Sequence, residues 1–378
     1  MKRCLFLFVA ATAMLVSCDN KGYVIEGTFV NNDDTTTVER KAYLSSEFSD
    51  FKDSADIVDG KFVFKGKIDE PVPYKIGIEG MAGEADIFLE NGKYTAEIEQ
   101  SGPYIKNALV NGDNTQNLYY RLSKTHEAVL ERHGIDMDRI LDEMYAADVT
   151  EERVAELMGM VNIAFAESDS LQNAIIDAYE AEFPMSYYAL ANLCSNMTTM
   201  SPDIVAQEVQ AYTGVAPFQT NPMVKKINEY VAANSHLMKG QPAPDFTVPD
   251  TKGKDVTFSS IYPQHKVTMI DFWASWCGPC RGFNPVLVGI YDKYHDKGFE
   301  IVGVSMDNDR DSWLQAIKDD GLTWIQLSDV AYWNTEPKEL YNVNYIPQNV
   351  LVDSEGKIIA SKLDEAALEE VLSEYLGE

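Results

Sequence analysis

Cysteine and histidine are the scarce residues of this 378-residue chain, which holds five of each. The histidines are His126, His133, His236, His265 and His295, and none stands near another. The cysteines form a single close pair, Cys277 and Cys280, with no second pair elsewhere. A structural zinc site needs four ligands, usually from two such groups. The sequence therefore does not indicate a metal site.

Basic residues are also few. The chain has 31 lysines and arginines against 60 aspartates and glutamates, a formal net charge of −29. Such an acidic protein is a poor partner for a phosphate backbone, so nucleic-acid binding is disfavoured. Hydrophobic residues make up 45% of the chain, which favours packed domains over disorder. The length of the chain favours two or three domains.

Long apolar runs are missing beyond the N-terminus. "MKRCLFLFVAATAMLVSC" has Lys2 and Arg3, then an apolar stretch that ends in small residues, as in a secretory signal. The run is shorter than the ~20 residues needed to cross a bilayer. "LVSC" resembles a bacterial lipobox, which implies a signal peptide over residues 1–17 and lipid on Cys18. A plain secretory signal is the alternative. We therefore predict a lipid-anchored protein of the cell envelope, at the inner or outer membrane.

The rest of the chain predicts a multidomain protein with three regions. Residues 18–115 alternate apolar and polar positions, which predicts an antiparallel β sandwich or sheet with a hairpin turn at Asp59-Gly60. Residues 116–237 are rich in helix formers and predict a helical domain. In it, Asp148 is the favoured cap of one helix because Glu151 stands at the capping-box spacing. Residues 238–378 alternate apolar strands with helices, which predicts an α/β domain.

The cysteine pair lies in "DFWASWCGPC", residues 271–280, where an apolar strand passes into a helix. Haem attachment would need histidine at position 281, which holds arginine. A structural disulfide closing so short a loop would stabilise little. A CxxC that begins a helix within a βαβ pattern indicates a redox site instead, with no cofactor besides the Cys277–Cys280 disulfide. We expect Cys277 to be the exposed nucleophile, because a helix N-terminus favours a thiolate, and Cys280 to be buried and to resolve the mixed disulfide.

This segment resembles the thioredoxin active site, and "YNVNYIPQNVLVD" is similar to the second active-site loop of that family. The resemblance implies a thioredoxin fold for the C-terminal domain and a cis peptide bond between Ile346 and Pro347, beside the cysteines. It also implies that Trp276, Gly278, Pro279, Ile346 and Pro347 form the substrate-binding surface.

The same resemblance matches Asp271 to the buried acid of thioredoxin. Burial raises the pKa of a carboxyl group, so Asp271 would accept the proton of Cys280 during resolution. The segment "APDFTVPDTKGKDVTFSS" and the extra helical stretch at 309–321 are similar to the TlpA/ResA branch of envelope thiol-disulfide oxidoreductases. That branch commonly has asparagine in place of Asp271. The lysine that thioredoxin places near its acid corresponds to Gly303.

The resemblance implies an enzyme, a protein-disulfide reductase. Gly-Pro between the cysteines matches thioredoxin, poised at about −270 mV, against about −120 mV for the oxidant DsbA. Its partners would be disulfide-bearing proteins of the envelope and a membrane electron donor. The resemblance to ResA-like proteins implies apocytochrome c as a substrate class. A thiol peroxidase is an alternative, because peroxiredoxins share the "APDF" opening. Peroxiredoxins, however, have threonine or serine three residues and proline seven residues before their reactive cysteine, and these positions hold Ala274 and Ile270 here. A further alternative is a docking lipoprotein whose redox domain has a regulatory role.

Overall fold

The computed structural model describes residues 22–31, 40–146 and 148–377. The predicted signal peptide and Cys18 lie outside the described residues. The chain divides into two compact units. The first comprises residues up to 192 together with 216–223, and the second comprises residues 193–215 and 224 onward. Within the described residues, no helix is long and apolar enough to span a bilayer.

The first unit begins with strands that form two four-stranded sheets. The strands are β1 Tyr23–Asn31, β2 Arg40–Ser46, β3 Ser49–Ile57, β4 Lys61–Gly66, β5 Val72–Ile78, β6 Ala85–Leu89, β7 Lys93–Ser101 and β8 Tyr104–Gly112. One sheet has the order β4-β1-β7-β8 and the other has β3-β2-β5-β6. The ladders are antiparallel except between β1 and β7, which run parallel. The predicted antiparallel pattern is therefore wrong at this ladder: β7 follows a strand of the other sheet, so no hairpin fixes its direction against β1.

Alternating burial gives these sheets their core. Phe62 and Phe64 are both buried on one face of β4, with ring centroids 5.6 Å apart. Gly27 lies opposite Phe62 on β1, and a Cβ there would come within 2.0 Å of the Phe62 ring, so only glycine fits. Asp59 and Gly60 both have positive φ, 50° and 70°, and form the predicted turn between β3 and β4.

Helices follow the strands. They are α1 Asn114–Arg132, α2 Met137–Met144, α3 Glu151–Glu182, α4 Tyr187–Asn196, α5 Pro202–Gln210 and α6 Pro222–Ala233. Thr150 caps α3, and its hydroxyl accepts the N–H of Arg153 at 3.2 Å. The prediction of Asp148 is wrong because Glu151 is the first helical residue, not the third. Arg153 at that third position pairs with Glu143, at 2.7 Å.

The second unit is built on a five-stranded sheet of order β13-β12-β11-β14-β15. Its strands are β11 Val267–Trp273, β12 Phe299–Ser305, β13 Ile325–Leu327, β14 Gln348–Asp353 and β15 Ile358–Ser361. A short hairpin of β9 Thr247–Pro249 and β10 Asp255–Thr257 precedes them. The helices between and after them are α7 Gly278–Tyr294, α8 Arg310–Asp319, α9 Glu336–Leu340 and α10 Glu365–Leu376.

Strand direction in this sheet positions the site. β11 runs parallel to β12 and antiparallel to β14. Every residue of β11 and β12 is buried, as expected for apolar strands covered on both faces. Because parallel strands end at the same edge of a sheet, the loops after Trp273 and after Ser305 leave that edge side by side. This is the edge where α7 begins.

Candidate active site

Cys277 and Cys280 lie where β11 passes into α7. Cys277 is the N-cap residue of α7, and its sulfur accepts the backbone N–H of Cys280 at 3.2 Å. The two sulfurs form a disulfide, with the Cα atoms 5.3 Å apart. Cys277 is 5% exposed and Cys280 is 1% exposed. The predicted order of burial is therefore present, but Cys277 is far less exposed than expected, because in the oxidised form its sulfur turns inward to Cys280.

Gly278 and Pro279 form the first turn of α7. Proline fits at this end because the first helical N–H groups have no partner within the helix. At Gly278, a Cβ atom would meet no atom within 4 Å. The glycine therefore does not relieve a clash within the protein; it leaves open surface beside the disulfide, where the sequence predicts substrate to bind.

Asp271 lies within β11, opposite Gly303 on β12 and Asn349 on β14. The residue is 3% exposed, and burial raises the pKa of its carboxyl group to about 7. Desolvation is the cause, since water no longer solvates the charged form. A carboxyl group with this pKa exchanges protons readily at neutral pH, as a proton acceptor for Cys280 must.

Gln326 takes the space where thioredoxin has a lysine. A Cβ at Gly303 would come within 2.4 Å of the Gln326 Oε1 atom, so the glutamine side chain covers the glycine. That oxygen accepts the indole N–H of Trp273 at 3.0 Å. The Gln326 Nε2 group is buried without a partner in the described part of the chain. Sequence reasoning missed Gln326, because nothing in its own segment indicates that it lies over Gly303.

The second active-site loop contains the cis bond that the resemblance predicted, between Ile346 and Pro347. β14 begins directly after it, and Gln348 pairs with Phe272 of β11. The Gln348 side chain donates to the Tyr345 carbonyl at 2.9 Å and so closes the loop. Ile346 and Pro347 are half-buried, and the register places them next to the chain that leads from β11 to Cys277.

A buried carboxylate, which the sequence did not reveal, fixes the residues before Cys277. Asp307 is 1% exposed and accepts from the Ser275 backbone N–H at 3.0 Å and from its hydroxyl at 2.5 Å. It also accepts the Ser305 hydroxyl at 2.7 Å. On the other side, Arg281 donates to the Ser275 carbonyl at 3.2 Å and pairs with Asp320 at 2.7 Å. Ser275 is therefore held through its N–H, hydroxyl and carbonyl groups.

We expect Asp307→Ala to lower the free energy of unfolding of the second unit by about 3 kcal/mol, because it leaves buried donors of Ser275 and Ser305 without an acceptor. All five tryptophans lie between residues 273 and 333, so tryptophan fluorescence during urea unfolding reports on this unit alone. Asp311→Ala, which changes an exposed aspartate of α8, is the matched control. Equal midpoints for the two variants would show that the Asp307 hydrogen bonds add no net stability.

Three aromatic side chains surround this part of the site. Trp276, predicted as a binding residue, is 46% exposed. Tyr332 and Trp333 lie against it, and sequence reasoning missed both because they come from a segment more than 50 residues away. Among the described residues, no group of three histidine, cysteine or acidic side chains could hold a metal ion.

Two family models match the chain, one in each unit. The Redoxin family model matches residues 238–375. A domain of unknown function, DUF4369, matches residues 23–119.

Known relatives match rather more than a third of the chain. The thiol-disulfide oxidoreductase ResA of Bacillus cereus is 27% identical over 142 residues, which are 38% of this chain and 79% of that protein. "Probable nucleoredoxin 1" of Arabidopsis thaliana is 35% identical over 140 residues, 36% of this chain, but this stretch spans only 23% of that protein. A solved thiol-disulfide oxidoreductase from Bacteroides fragilis is 34% identical over 35% of this chain and 98% of its own, with a TM-score of 0.34.

The Redoxin match covers the residues that carry the five-stranded sheet, the CxxC at the start of α7 and the cis-proline loop. Residues 238–375 of this chain therefore form a TlpA/ResA-like thiol-disulfide oxidoreductase domain of the redoxin family, with the thioredoxin fold.

Proposed function

We propose that the protein reduces disulfide bonds of other proteins in the cell envelope, with Cys277 as the attacking thiol. The observation that carries this proposal is the position of the Cys277 sulfur, which caps α7 and accepts a backbone N–H at 3.2 Å. Once the disulfide is reduced, the same N–H and the helix macrodipole stabilise a thiolate at this sulfur. The thiolate is the species that attacks a disulfide.

The reaction proceeds in two exchanges. The Cys277 thiolate attacks one sulfur of the substrate disulfide, forms a mixed disulfide and releases the other substrate sulfur as a thiolate, which takes up a proton. Cys280 then passes its proton to Asp271 and attacks the Cys277 sulfur. This restores the Cys277–Cys280 disulfide and releases the second substrate thiol. Two electrons pass from the protein to the substrate, and an external dithiol donor must return them.

The direction of electron flow rests on the dipeptide between the cysteines. Gly278-Pro279 is the pair found in thioredoxin, whose potential of about −270 mV makes it a reductant, whereas the oxidant DsbA is poised at about −120 mV. We therefore assign this domain to reduction. Equilibration with a glutathione buffer and reduction of insulin test the assignment together. A potential near that of DsbA, with no reduction of insulin, would overturn it.

The cellular setting of the proposal comes from the sequence. A signal pattern that ends at Cys18 favours a lipid anchor, and several acyl chains on one cysteine would hold the protein stably at a membrane. The partners would be disulfide-bearing proteins of that compartment, with apocytochrome c as one candidate class, and a membrane-bound electron donor. Labelling with radioactive palmitate, lost in a Cys18→Ala variant, tests the anchor.

Cys280→Ser is expected to trap the substrate, because the mixed disulfide on Cys277 then has no resolving thiol. The pre-reduced variant mixed with insulin should accumulate an adduct of one insulin molecule per protein, visible by non-reducing electrophoresis and mass spectrometry. The same variant, expressed in cells, identifies physiological partners. The double variant Cys277→Ser/Cys280→Ser is the control and should trap nothing. An adduct that survives in the double variant would place the attacking thiol elsewhere.

A further inference from the structure

Trp276, Tyr332 and Trp333 form a continuous aromatic surface beside the disulfide, which we call the aromatic platform. The Trp276 ring centroid lies 5.6 Å from that of Tyr332 and 6.2 Å from that of Trp333, and the last two are 6.2 Å apart. Trp276 and Tyr332 are 46% and 41% exposed, whereas Trp333 is half-buried and packs on the core. Trp276 directly precedes Cys277, so whatever covers these rings lies next to the reacting sulfur.

The platform is held in place before any substrate arrives. Tyr332 has a φ of +58°, which bulky residues rarely adopt and which is enriched at binding sites. Its backbone N–H donates to the Asp307 carbonyl at 3.2 Å. The Asp307 carboxylate holds Ser275, the residue before Trp276. One buried residue therefore positions both segments that carry the rings, and little ordering entropy remains to be lost when a ligand binds.

The segment that carries Tyr332 and Trp333 is acidic. Residues 329–336 contain Asp329 and Glu336 but no lysine or arginine. Arg281, the residue directly after Cys280, is paired with Asp320. Elsewhere in this unit lysines lie over aromatic rings, such as Lys293 over Tyr294 at 4.9 Å. In the part of the chain that the structure describes, no lysine or arginine covers any of the three platform rings.

We propose that the aromatic platform binds an arginine or lysine side chain that flanks the reacting cysteine of the substrate protein. Two physical terms favour a cation at this place. The faces of indole and phenol rings attract a positive charge, most strongly where a planar guanidinium can stack on them. Asp329 and Glu336, each three residues from a platform residue in the sequence, favour a positive charge nearby, and the net charge of −29 steers basic segments toward the protein. The inference rests on the proposed reductase function and adds a sequence preference to it.

Two cystine-linked peptides that differ in one group test this preference. Both are dimers of the same short peptide, with arginine beside the cysteine in one and citrulline, its uncharged isostere, in the other. The full chain is reduced, freed of reductant and mixed with excess peptide, and the reaction is quenched with an alkylating agent at set times. We expect the arginine peptide to be reduced about tenfold faster at subsaturating concentration. The difference should lie in the half-saturating concentration rather than in the limiting rate.

Variants locate the preference. Tyr332→Leu keeps an apolar side chain but removes a ring, and Tyr332→Asn places a residue that tolerates the left-handed backbone conformation. In each variant, the ratio of the reduction rates of the arginine and citrulline peptides should fall below about three. Tyr375→Leu, an exposed tyrosine of α10, should keep the wild-type ratio. Equal rates for the two peptides in the wild-type protein, or a full preference in both Tyr332 variants, would overturn the proposal while the reductase function stands. Failure of the reductase function is distinct: the reduced wild-type protein would then leave both peptides and hydroxyethyl disulfide oxidised.

Discussion

Replacing Cys277 with serine is expected to slow the reduction of insulin by at least about a thousandfold, because a serine hydroxyl is not ionised at neutral pH and cannot displace a sulfur. The geometry makes this loss specific to position 277. Its sulfur is at the helix N-terminus, whereas Cys280 is one turn further in and 1% exposed. Cys280 does not hold the N-cap position that stabilises a thiolate, so we expect it not to take over the first attack on a protein substrate.

The control for this variant is Cys194→Ala, which changes a buried cysteine in α4, away from the disulfide. It should reduce insulin at the rate of the unmodified protein. Rates are measured as insulin turbidity with dithiothreitol as electron donor, after subtraction of the reaction without protein. If Cys277→Ser kept more than about a tenth of the activity, another thiol would perform the attack and the proposed mechanism would be wrong.

The chemistry of the pair could be predicted from sequence because all of it is local. An apolar strand, a CxxC and a proline in the first helical turn lie within residues 267–280, and they specify a redox site before any tertiary contact is known. The cis bond at Pro347 was available only through the resemblance to thioredoxin. The burial of Asp271 followed from its place inside an apolar strand, which the structure confirms at 3% exposure.

The residues that support the pair could not be predicted. Asp307, Gln326 and Tyr332 reach the site from three separate loops or strands, and no motif around them indicates where they lie. They are recognised only by what they touch: the Ser275 N–H, the space above Gly303 and the Trp276 ring. From the sequence alone, Asp307 in "SMDND" would be expected at the protein surface. In the structure its carboxylate is buried and accepts three hydrogen bonds.

Errors in the first unit have a similar cause. The alternation of apolar and polar residues indicates which face of a strand is buried, but not which strand lies beside it. The parallel pairing of β1 with β7 could therefore not be predicted. The capping-box spacing from Asp148 to Glu151 did not identify the cap, because α3 begins one residue after Thr150. In the structure the third helical residue is Arg153, which is stabilised by Glu143 and Glu156 instead of by a reciprocal cap.

Asp271→Asn is expected to stabilise the protein strongly, but only at neutral and alkaline pH. The pKa of the Asp271 carboxyl group is about 7 in the folded protein because of burial, against about 3.9 for an unfolded aspartate. Below pH 4 the group is protonated in both states and adds no penalty. Between pH 4 and 7 the unfolded chain releases the proton while the folded chain keeps it, so stability falls as pH rises.

The size of the effect follows from the two pKa values. Each pH unit between them is worth about 1.4 kcal/mol, so the ionisation of Asp271 alone lowers the stability of the wild-type protein by about 4 kcal/mol between pH 4 and pH 8. Asparagine cannot ionise and avoids this loss. Urea unfolding followed by tryptophan fluorescence should therefore show Asp271→Asn to be about 4 kcal/mol more stable than wild type at pH 8 and nearly equal at pH 4.

The same substitution should impair the reaction that the carboxylate serves. Without a buried proton acceptor, Cys280 must lose its proton to water, and resolution of the mixed disulfide should slow by about a hundredfold at pH 7. The defect should shrink toward pH 9, where thiols ionise unaided, since an unperturbed cysteine has a pKa of about 8.5. A variant that gained stability equally at pH 4 and pH 8 would show that Asp271 is not a buried carboxyl group that titrates near neutrality. A variant that gained stability only at pH 8 yet resolved mixed disulfides at the normal rate would leave the burial intact and remove Asp271 from the proton path.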